Sequence, residues 1–432
     1  MALCGAGQLS VRSDPLVLKR LGFWQLFALG LNGIVGVGIF FTPASVARLA
    51  PGWASVLVFG AVAIGLVPVA LAFAKLAARF DEDGGPVLYA REAFGETAGF
   101  LVGWISYVSA VASTAAVMAG LARALVGPDH ALGVALSLVT AIAGVTAVGL
   151  SISAGTWTFL TVAKIVPLLG LVLAGLLVGG AGGGDVVATA AISVPAPASP
   201  LSLLRAGLVA VFAYQGFEIV PLVAGQAETA RRRVPLALLA SLGAAAVLYV
   251  ALQSVVVRAL PGLAASSAPL SEAAAVLGGP RFGRIIGLTT SVSALGIAVG
   301  MMAMTPRYLA NAWSSRGGLG LGRHSSSGVP QRALLVTWAL VLILLLQGSL
   351  GQLLELSSIA VLSQYGATVV ALAVLSARRA RGLTPGDAWV VPPALLVTLS
   401  LVTQATPRQA LVAAGCLALG VVLRFLTSAA GR

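Results

Sequence analysis

Long apolar stretches alternate with short polar segments along nearly the whole chain. Many of these stretches reach the length of about 20 residues that a helix needs to cross the hydrocarbon core of a bilayer. Single charged residues such as Glu218 and Lys164 interrupt the pattern without ending it. The pattern predicts twelve membrane-spanning helices, called spans 1 to 12: 21–44, 52–76, 97–125, 131–149, 156–179, 202–227, 234–258, 284–305, 332–348, 353–376, 388–405 and 409–427.

Composition and charge support a membrane protein. Of the 432 residues, 59% are hydrophobic and only 9% are charged, against about 25% charged residues in a soluble domain. This excludes a soluble enzyme, a disordered chain and a secreted disulfide scaffold. The net charge of +13 does not indicate nucleic-acid binding, because the basic residues do not form one exposed face.

The distribution of Lys and Arg predicts the orientation. Most of the 26 basic residues fall in the connections that are cytoplasmic if the N-terminus is inside. We therefore expect a multi-pass protein of the cell (inner) membrane with both termini cytoplasmic. The first 20 residues are mostly small and polar and precede a full-length apolar stretch, so they are predicted to be a cytoplasmic tail and not a cleaved signal peptide.

Two spans carry residues that disfavour a continuous helix. In span 1, the segment 30–38 contains four glycines, and each costs about 1 kcal/mol in a helix relative to alanine. In span 6, the segment 212–218 brings together a glycine, an amide and a carboxylate. The alternative for the glycines is close helix packing alone. Broken helices at corresponding places in two halves are typical of inverted-repeat transporters.

The predicted architecture is therefore an all-α membrane protein with a 5+5 inverted repeat, discontinuous helices in spans 1 and 6, and two appended helices. The boundaries are a tail at 1–20, a first repeat at 21–179, an external loop at 180–201, a second repeat at 202–376, and spans 11 and 12 with a short tail at 377–432.

Charged residues inside predicted spans are functional candidates, because an unpaired charge is costly in a membrane. Glu218 lies within span 6 and Lys75 near the predicted inner end of span 2. The alternatives are that Glu218 is a structural partner of Lys75 or Arg205, and that Lys75 extends to the interface or pairs with Asp81 or Glu218. Cysteine and histidine, with two residues of each, show no metal-ligand spacing, so we expect no metal, no cofactor and no membrane-embedded enzyme.

Four ordered segments carry a resemblance to a known family. They are GFWQLFALGLNGIVGVGIFFTP at 22–43, AFAKLAARFDEDGGPVLYAREAFGETAGFLVGW at 72–104, VFAYQGFEIVPLVAGQAETARRRVP at 211–235 and TPRYLANAWSSRGGL at 305–319. The chain resembles the amino acid–polyamine–organocation (APC) superfamily, of the bacterial amino acid permease type, over roughly residues 15–380. One departure is Lys75, where family members commonly carry glutamate.

The resemblance implies where the substrate binds. Backbone amides of the break in span 1 would hold the substrate carboxylate, and carbonyls of the break in span 6 would hold its ammonium group. The implied binding residues are Ile34, Val35, Gly36, Val37, Gly38, Phe212, Ala213, Gln215, Ser106 and Ser293. Phe212 would also act as the gate, the alternative being that its ring is only packing.

The resemblance also implies a role for Lys164 in span 5. Its ammonium group would replace the cation that sodium-coupled relatives bind between spans 1 and 8, with carbonyls of span 1 and hydroxyls such as Ser291 or Ser293 as partners. We therefore expect transport without sodium, either coupled to protons or running as substrate exchange. The alternative is that Lys164 extends to the interface.

The expected function is a secondary active transporter that moves neutral L-amino acids by alternating access, because the pocket candidates include no carboxylate for a cationic side chain. A polyamine or cationic amino acid transporter is one alternative, and a non-transporting amino-acid sensor is another. The expected partners are an amino acid substrate, protons and membrane lipid, and not nucleic acid.

Overall fold

The computed structural model describes residues 21–36, 38–80, 82–149, 154–180, 199–313 and 329–429. The predicted N-terminal tail, Val37, Asp81 and nearly all of the predicted external loop therefore lie outside the described residues. Within the described part, the side chains of 154–160, 179–180, 311–313 and 426–429 are also left out of the account.

The described residues of the first half form seven helices. They are α1 (Phe23–Ile34), α2 (Gly38–Leu49), α3 (Trp53–Ala77), α4 (Gly85–Phe94), α5 (Glu96–Val126), α6 (Ala131–Ala147) and α7 (Ala154–Gly180). Span 1 corresponds to α1 and α2 together, whose axes are bent by 42° at the break between them. The short helix α4 lies in the connection between spans 2 and 3.

The described part of the second half adds seven further α-helices. They are α8 (Pro200–Tyr214), α9 (Ala230–Ala259), α10 (Pro269–Trp313), α11 (Gln331–Gln347), α12 (Leu350–Ala377), α13 (Val391–Val402) and α14 (Pro407–Ala429). Four 3₁₀ segments accompany them, at Phe217–Gln226, Leu263–Ala265, Ala380–Gly382 and Pro385–Val390. Span 6 corresponds to α8 and the 3₁₀ segment that follows it.

The predicted fold class is confirmed. Among the described residues, nine helices are long and apolar enough to cross a membrane, and the bent pair α1–α2 makes a tenth. The remaining predicted spans, 4 and 9, correspond to α6 and α11, which are apolar and 17 residues long. The β-structure of the described residues is a single isolated bridge between Leu21 and Ala227.

Local sequence signals set several helix ends. Ser199 accepts a hydrogen bond from the Ser202 amide (3.1 Å) and precedes Pro200, so that α8 begins with a capping side chain and a proline in its first turn. Ser349 and Gln352 form a reciprocal capping box at the start of α12. Gly127, with φ +75°, ends α5 in a conformation that favours glycine.

Helix packing places both broken helices inside the bundle. Helix α9 packs against α1 and α3, α8 packs against α2, and α10 packs against α5 and α7. The residues of α2 from Gly38 to Ala47 are all buried, as are those of α8 from Ala206 to Tyr214. A non-helical backbone in these positions is therefore enclosed by protein, as membrane burial requires.

Candidate functional site

The break in span 1 lies between the last residue of α1, Ile34, and the first residue of α2, Gly38. The Val35 amide still donates to the Leu31 carbonyl (2.7 Å), which continues the helix by one residue. The Gly36 amide donates to the Ile34 carbonyl (2.6 Å) in a tight turn. The chain then starts α2 in a new direction.

These hydrogen bonds correct the predicted set of carboxylate-binding amides. The amides of Val35 and Gly36 already have acceptors in the chain, Ile34 belongs to α1, and Val37 lies outside the described residues. The first amides of a helix have no intrahelical acceptor. The amides of Gly38, Ile39 and Phe40 are the first of α2, and of these three residues the sequence prediction included Gly38.

The break in span 6 follows Tyr214. Gln215 is extended (φ −61°, ψ 145°) and Gly216 has φ +122°, a conformation that favours glycine. The Gly216 amide, which would continue α8 by bonding the Phe212 carbonyl, donates instead to Glu218 Oε2 (2.8 Å). Phe212 and Ala213 remain helical, contrary to the prediction of an unwound segment there, but their carbonyls belong to the last turn of α8.

The two breaks are in backbone contact. A Cβ atom built on Gly38 would lie 2.5 Å from the Cα atom of Ala213, and one built on Gly33 would lie 3.0 Å from the Gly216 carbonyl oxygen. Only glycine allows such an approach. The start of α2 and the end of α8 therefore meet at one place in the bundle.

Lys164 reaches the break in span 1 from α7. Its side chain is 3% exposed, and Nζ donates to the carbonyl of Asn32 at 3.0 Å. Asn32 lies in the last turn of α1, where carbonyls lose their intrahelical donors. An ammonium group thus occupies a position against a free carbonyl of the broken helix.

Ser293 of α10 is also near this break. A Cβ atom on Gly36 would lie 3.2 Å from Ile297 Cδ1, and Ser293 is one helical turn before Ile297 on the same face. The Ser293 hydroxyl is buried and has no hydrogen-bond partner among the described residues. The hydroxyl of Ser291, two residues earlier, donates instead to the Gly287 carbonyl of its own helix (3.0 Å).

A cluster of uncharged polar side chains surrounds the break in span 6. Gln215 Oε1 accepts hydrogen bonds from Ser357 (3.1 Å) and Ser113 (3.4 Å), and the two serine hydroxyls lie 2.6 Å apart. Gln215 Nε2 is buried without a partner among the described residues. Ser106 is not part of this cluster, because its hydroxyl donates to Val102 in its own helix (2.9 Å). Ser357 was missed, although its pairing with Ser358 in an apolar span was a signal.

The intramembrane charges have partners other than those considered from the sequence. Glu218 accepts a hydrogen bond from Tyr365 (2.8 Å) as well as from the Gly216 amide, and the described structure shows no hydrogen bond or ion pair between Glu218 and Lys75 or Arg205. Lys75 Nζ lies 2.8 Å from Asp387 Oδ1 in the connection before α13. Lys75 therefore neither extends free to the interface nor pairs with Glu218.

Two features bear on access to the site. Phe212 is 6% exposed in the last turn of α8. A half-open pocket of about 360 Å³ lies between α2, α5 and α10, lined by Phe40, Thr290 and Ser291 on its inner side and by the exposed Leu125 and Leu288 on its outer side. This volume is within the range of small-molecule sites, which is about 300–1,000 Å³.

Two broken helices in contact inside an all-α membrane bundle define a membrane transporter. Residues 21–415 match the family model described as "Amino acid permease". The chain belongs to this family.

The similar proteins are transporters and not enzymes. An uncharacterised transporter of Mycobacterium tuberculosis is 30% identical over 93% of this chain and 89% of its own length. The serine/threonine exchanger SteT of Bacillus subtilis is 23% identical, over 85% of this chain and 86% of its own. A cadaverine/lysine antiporter of Escherichia coli is 25% identical, over 77% of each chain.

Proposed function

We propose that this chain is a secondary active transporter that moves amino acids across the cytoplasmic membrane by alternating access. The contact between the start of α2 and the end of α8 carries the proposal. A helix N-terminus attracts anions and a helix C-terminus attracts cations. Two such ends at one place suit a zwitterion, whose carboxylate and ammonium groups are joined through one carbon atom.

The proposed substrate has a neutral side chain. The polar side chains that meet Gln215 at the break in span 6 are the hydroxyls of Ser113 and Ser357. The carboxylate at this break, Glu218, already accepts hydrogen bonds from Tyr365 and the Gly216 amide. A partnerless amide donor at Gln215 favours a side chain that accepts a hydrogen bond. The relative named a serine/threonine exchanger supports this choice.

A cationic amino acid or polyamine is the second candidate. It is favoured by the half-buried carboxylate of Glu218 within span 6 and by the relative named a cadaverine/lysine antiporter. Against it, Glu218 is already engaged by Tyr365 and the Gly216 amide.

Transport is proposed to need no sodium. The support is the ammonium group of Lys164, which bonds the Asn32 carbonyl at the break. A sodium ion bound to the same carbonyl would meet a like charge. Proton coupling through Lys164 and substrate exchange both remain within the proposal, and the termini are assigned to the cytoplasm by the charge bias.

Uptake into liposomes tests the proposal. Purified protein is reconstituted with a panel of labelled neutral, acidic and cationic amino acids and polyamines, with choline replacing sodium. Uptake of polar neutral amino acids is expected, and uptake confined to lysine, arginine or diamines would favour the second candidate. Binding without uptake or exchange would favour a sensor, and neither binding nor uptake for the whole panel would contradict the proposal.

A further inference from the structure

Tyr249 of α9 contacts the break in span 1. It is fully buried, and its hydroxyl donates a 2.7 Å hydrogen bond to the carbonyl of Ile34, the last residue of α1. The same carbonyl accepts the Gly36 amide at 2.6 Å. Two donors therefore converge on the atom at which α1 ends.

This hydrogen bond stabilises the broken backbone. A carbonyl at the end of a helix has lost its intrahelical donor, and it is costly to leave unpaired inside a membrane. Lys164 supplies a donor for Asn32, and Tyr249 supplies Ile34 with a second donor beside the Gly36 amide. The two side chains come from different helices, and each donates to a carbonyl in the last turn of α1.

The ring of Tyr249 also touches the residue before the other break. Its centroid lies 5.1 Å from that of Tyr214, the last residue of α8, and 6.4 Å from that of Phe59 in α3. These rings hold the Tyr249 side chain, so its hydroxyl has a fixed position relative to both breaks. Tyr214 uses its own hydroxyl elsewhere, on the Phe59 carbonyl (3.0 Å).

We propose that Tyr249 is a positioning residue for substrate binding. By holding the Ile34 carbonyl, its hydroxyl keeps the turn at Val35 and Gly36 closed and the first amides of α2 directed at the substrate carboxylate. The inference rests on the proposed amino acid transport. Tyr249 acts through the backbone and not by touching the substrate.

Tyr249→Phe removes only the hydroxyl and keeps the ring contacts, and Tyr214→Phe is its matched control. Both tyrosines are fully buried, and each donates to a backbone carbonyl. For Tyr249→Phe we expect the Kd and the KM for the amino acid with the highest uptake to rise about tenfold, equivalent to about 1.4 kcal/mol. For Tyr214→Phe, the Kd and the KM should rise less than about twofold, which is well below tenfold or 1.4 kcal/mol. The unfolding temperature should fall by a similar amount in both variants.

The outcomes separate positioning from stability. Equal Kd changes in the two variants, or a Tyr249→Phe variant that loses only thermal stability, would overturn the inference while leaving transport by the unmodified protein intact. Hydrogen–deuterium exchange of the segment 31–42 is a second measurement. It should be faster in Tyr249→Phe than in Tyr214→Phe, and equal rates would count against the inference. Absence of binding and uptake in the unmodified protein would instead remove the proposed function, and this inference with it.

Discussion

Gly38 offers the sharpest test of the site, because it combines a close backbone contact between the breaks with the first amide of α2. In Gly38→Ala, the new Cβ atom would lie 2.5 Å from Ala213 Cα and 3.2 Å from Ala213 N, where ordinary contacts are 3.4–4 Å. Both neighbours are backbone atoms, which cannot rotate away. The start of α2 and the end of α8 must therefore separate by roughly 1 Å in a closely packed interior.

The size of the effect follows from the two helix ends. Overpacking of this kind costs about 1–3 kcal/mol of stability, offset in part by about 1 kcal/mol from the better helix propensity of alanine. A shift of about 1 Å removes at least one hydrogen bond to the charged carboxylate, worth about 1.5–3 kcal/mol. Since 1.4 kcal/mol is a factor of ten, substrate affinity should fall about 10- to 100-fold.

The assay is the equilibrium binding of a transported amino acid to purified protein, with the unfolding temperature measured on the same samples. Gly36→Ala is the control, because the closest neighbour of its Cβ atom would be the flexible end of Ile297, at 3.2 Å, and the nearest backbone atom would be at an ordinary 3.5 Å. It should therefore have a small effect. Unchanged affinity in Gly38→Ala, or a greater loss in Gly36→Ala, would refute the placement of the carboxylate at the start of α2.

Three other substitutions test separate parts of the site. Phe212→Leu keeps most of the buried apolar volume but removes the ring. This substitution should slow uptake with little change in unfolding temperature. Normal uptake with lowered stability would make Phe212 a packing residue. With choline replacing sodium at fixed membrane potential, uptake by the unmodified protein should be unaltered, and Lys164→Ala should lose the pH dependence of uptake. Strict sodium dependence would contradict the proposed coupling, and an unchanged pH profile in the variant would exclude Lys164 from it. Ser113→Ala should raise the Kd for serine or threonine about fivefold, as expected for the loss of about 1 kcal/mol of hydrogen bonding. Ser106→Ala loses only a hydrogen bond within its own helix and should leave the Kd unchanged. Equal effects of the two substitutions would argue against a subsite at Gln215.

The hydrophobic pattern determined the class of protein and the number of predicted spans. Each apolar stretch is a local property of about 20 residues, because every backbone group of a spanning helix is satisfied within that helix. The glycines of segment 30–38 and the Gln215-Gly216 pair likewise predicted interruptions. Glycine destabilises a helix relative to alanine regardless of which neighbours the helix packs against. The resemblance to the APC superfamily added the roles of these segments and of Lys164.

The limits of each break were decided by the tertiary structure. The sequence predicted free amides from Ile34 to Gly38, but Val35 and Gly36 bond to carbonyls of α1 and its terminal turn. Side chains of other helices reach the last carbonyls of α1. Lys164 and Tyr249 do so from α7 and α9, and no local pattern in segment 30–38 contains that information.

The partners of the polar side chains were also decided by folding. Lys75 and Asp387 are 312 positions apart in the chain, and Gln215 meets serines from α5 and α12. In a membrane, hydropathy indicates which residues lie inside a span but not which face of the span meets which neighbour. Close packing of small residues, such as Gly38 against Ala213, selects which helix faces meet. The packed faces then determine which side chains come within hydrogen-bonding distance.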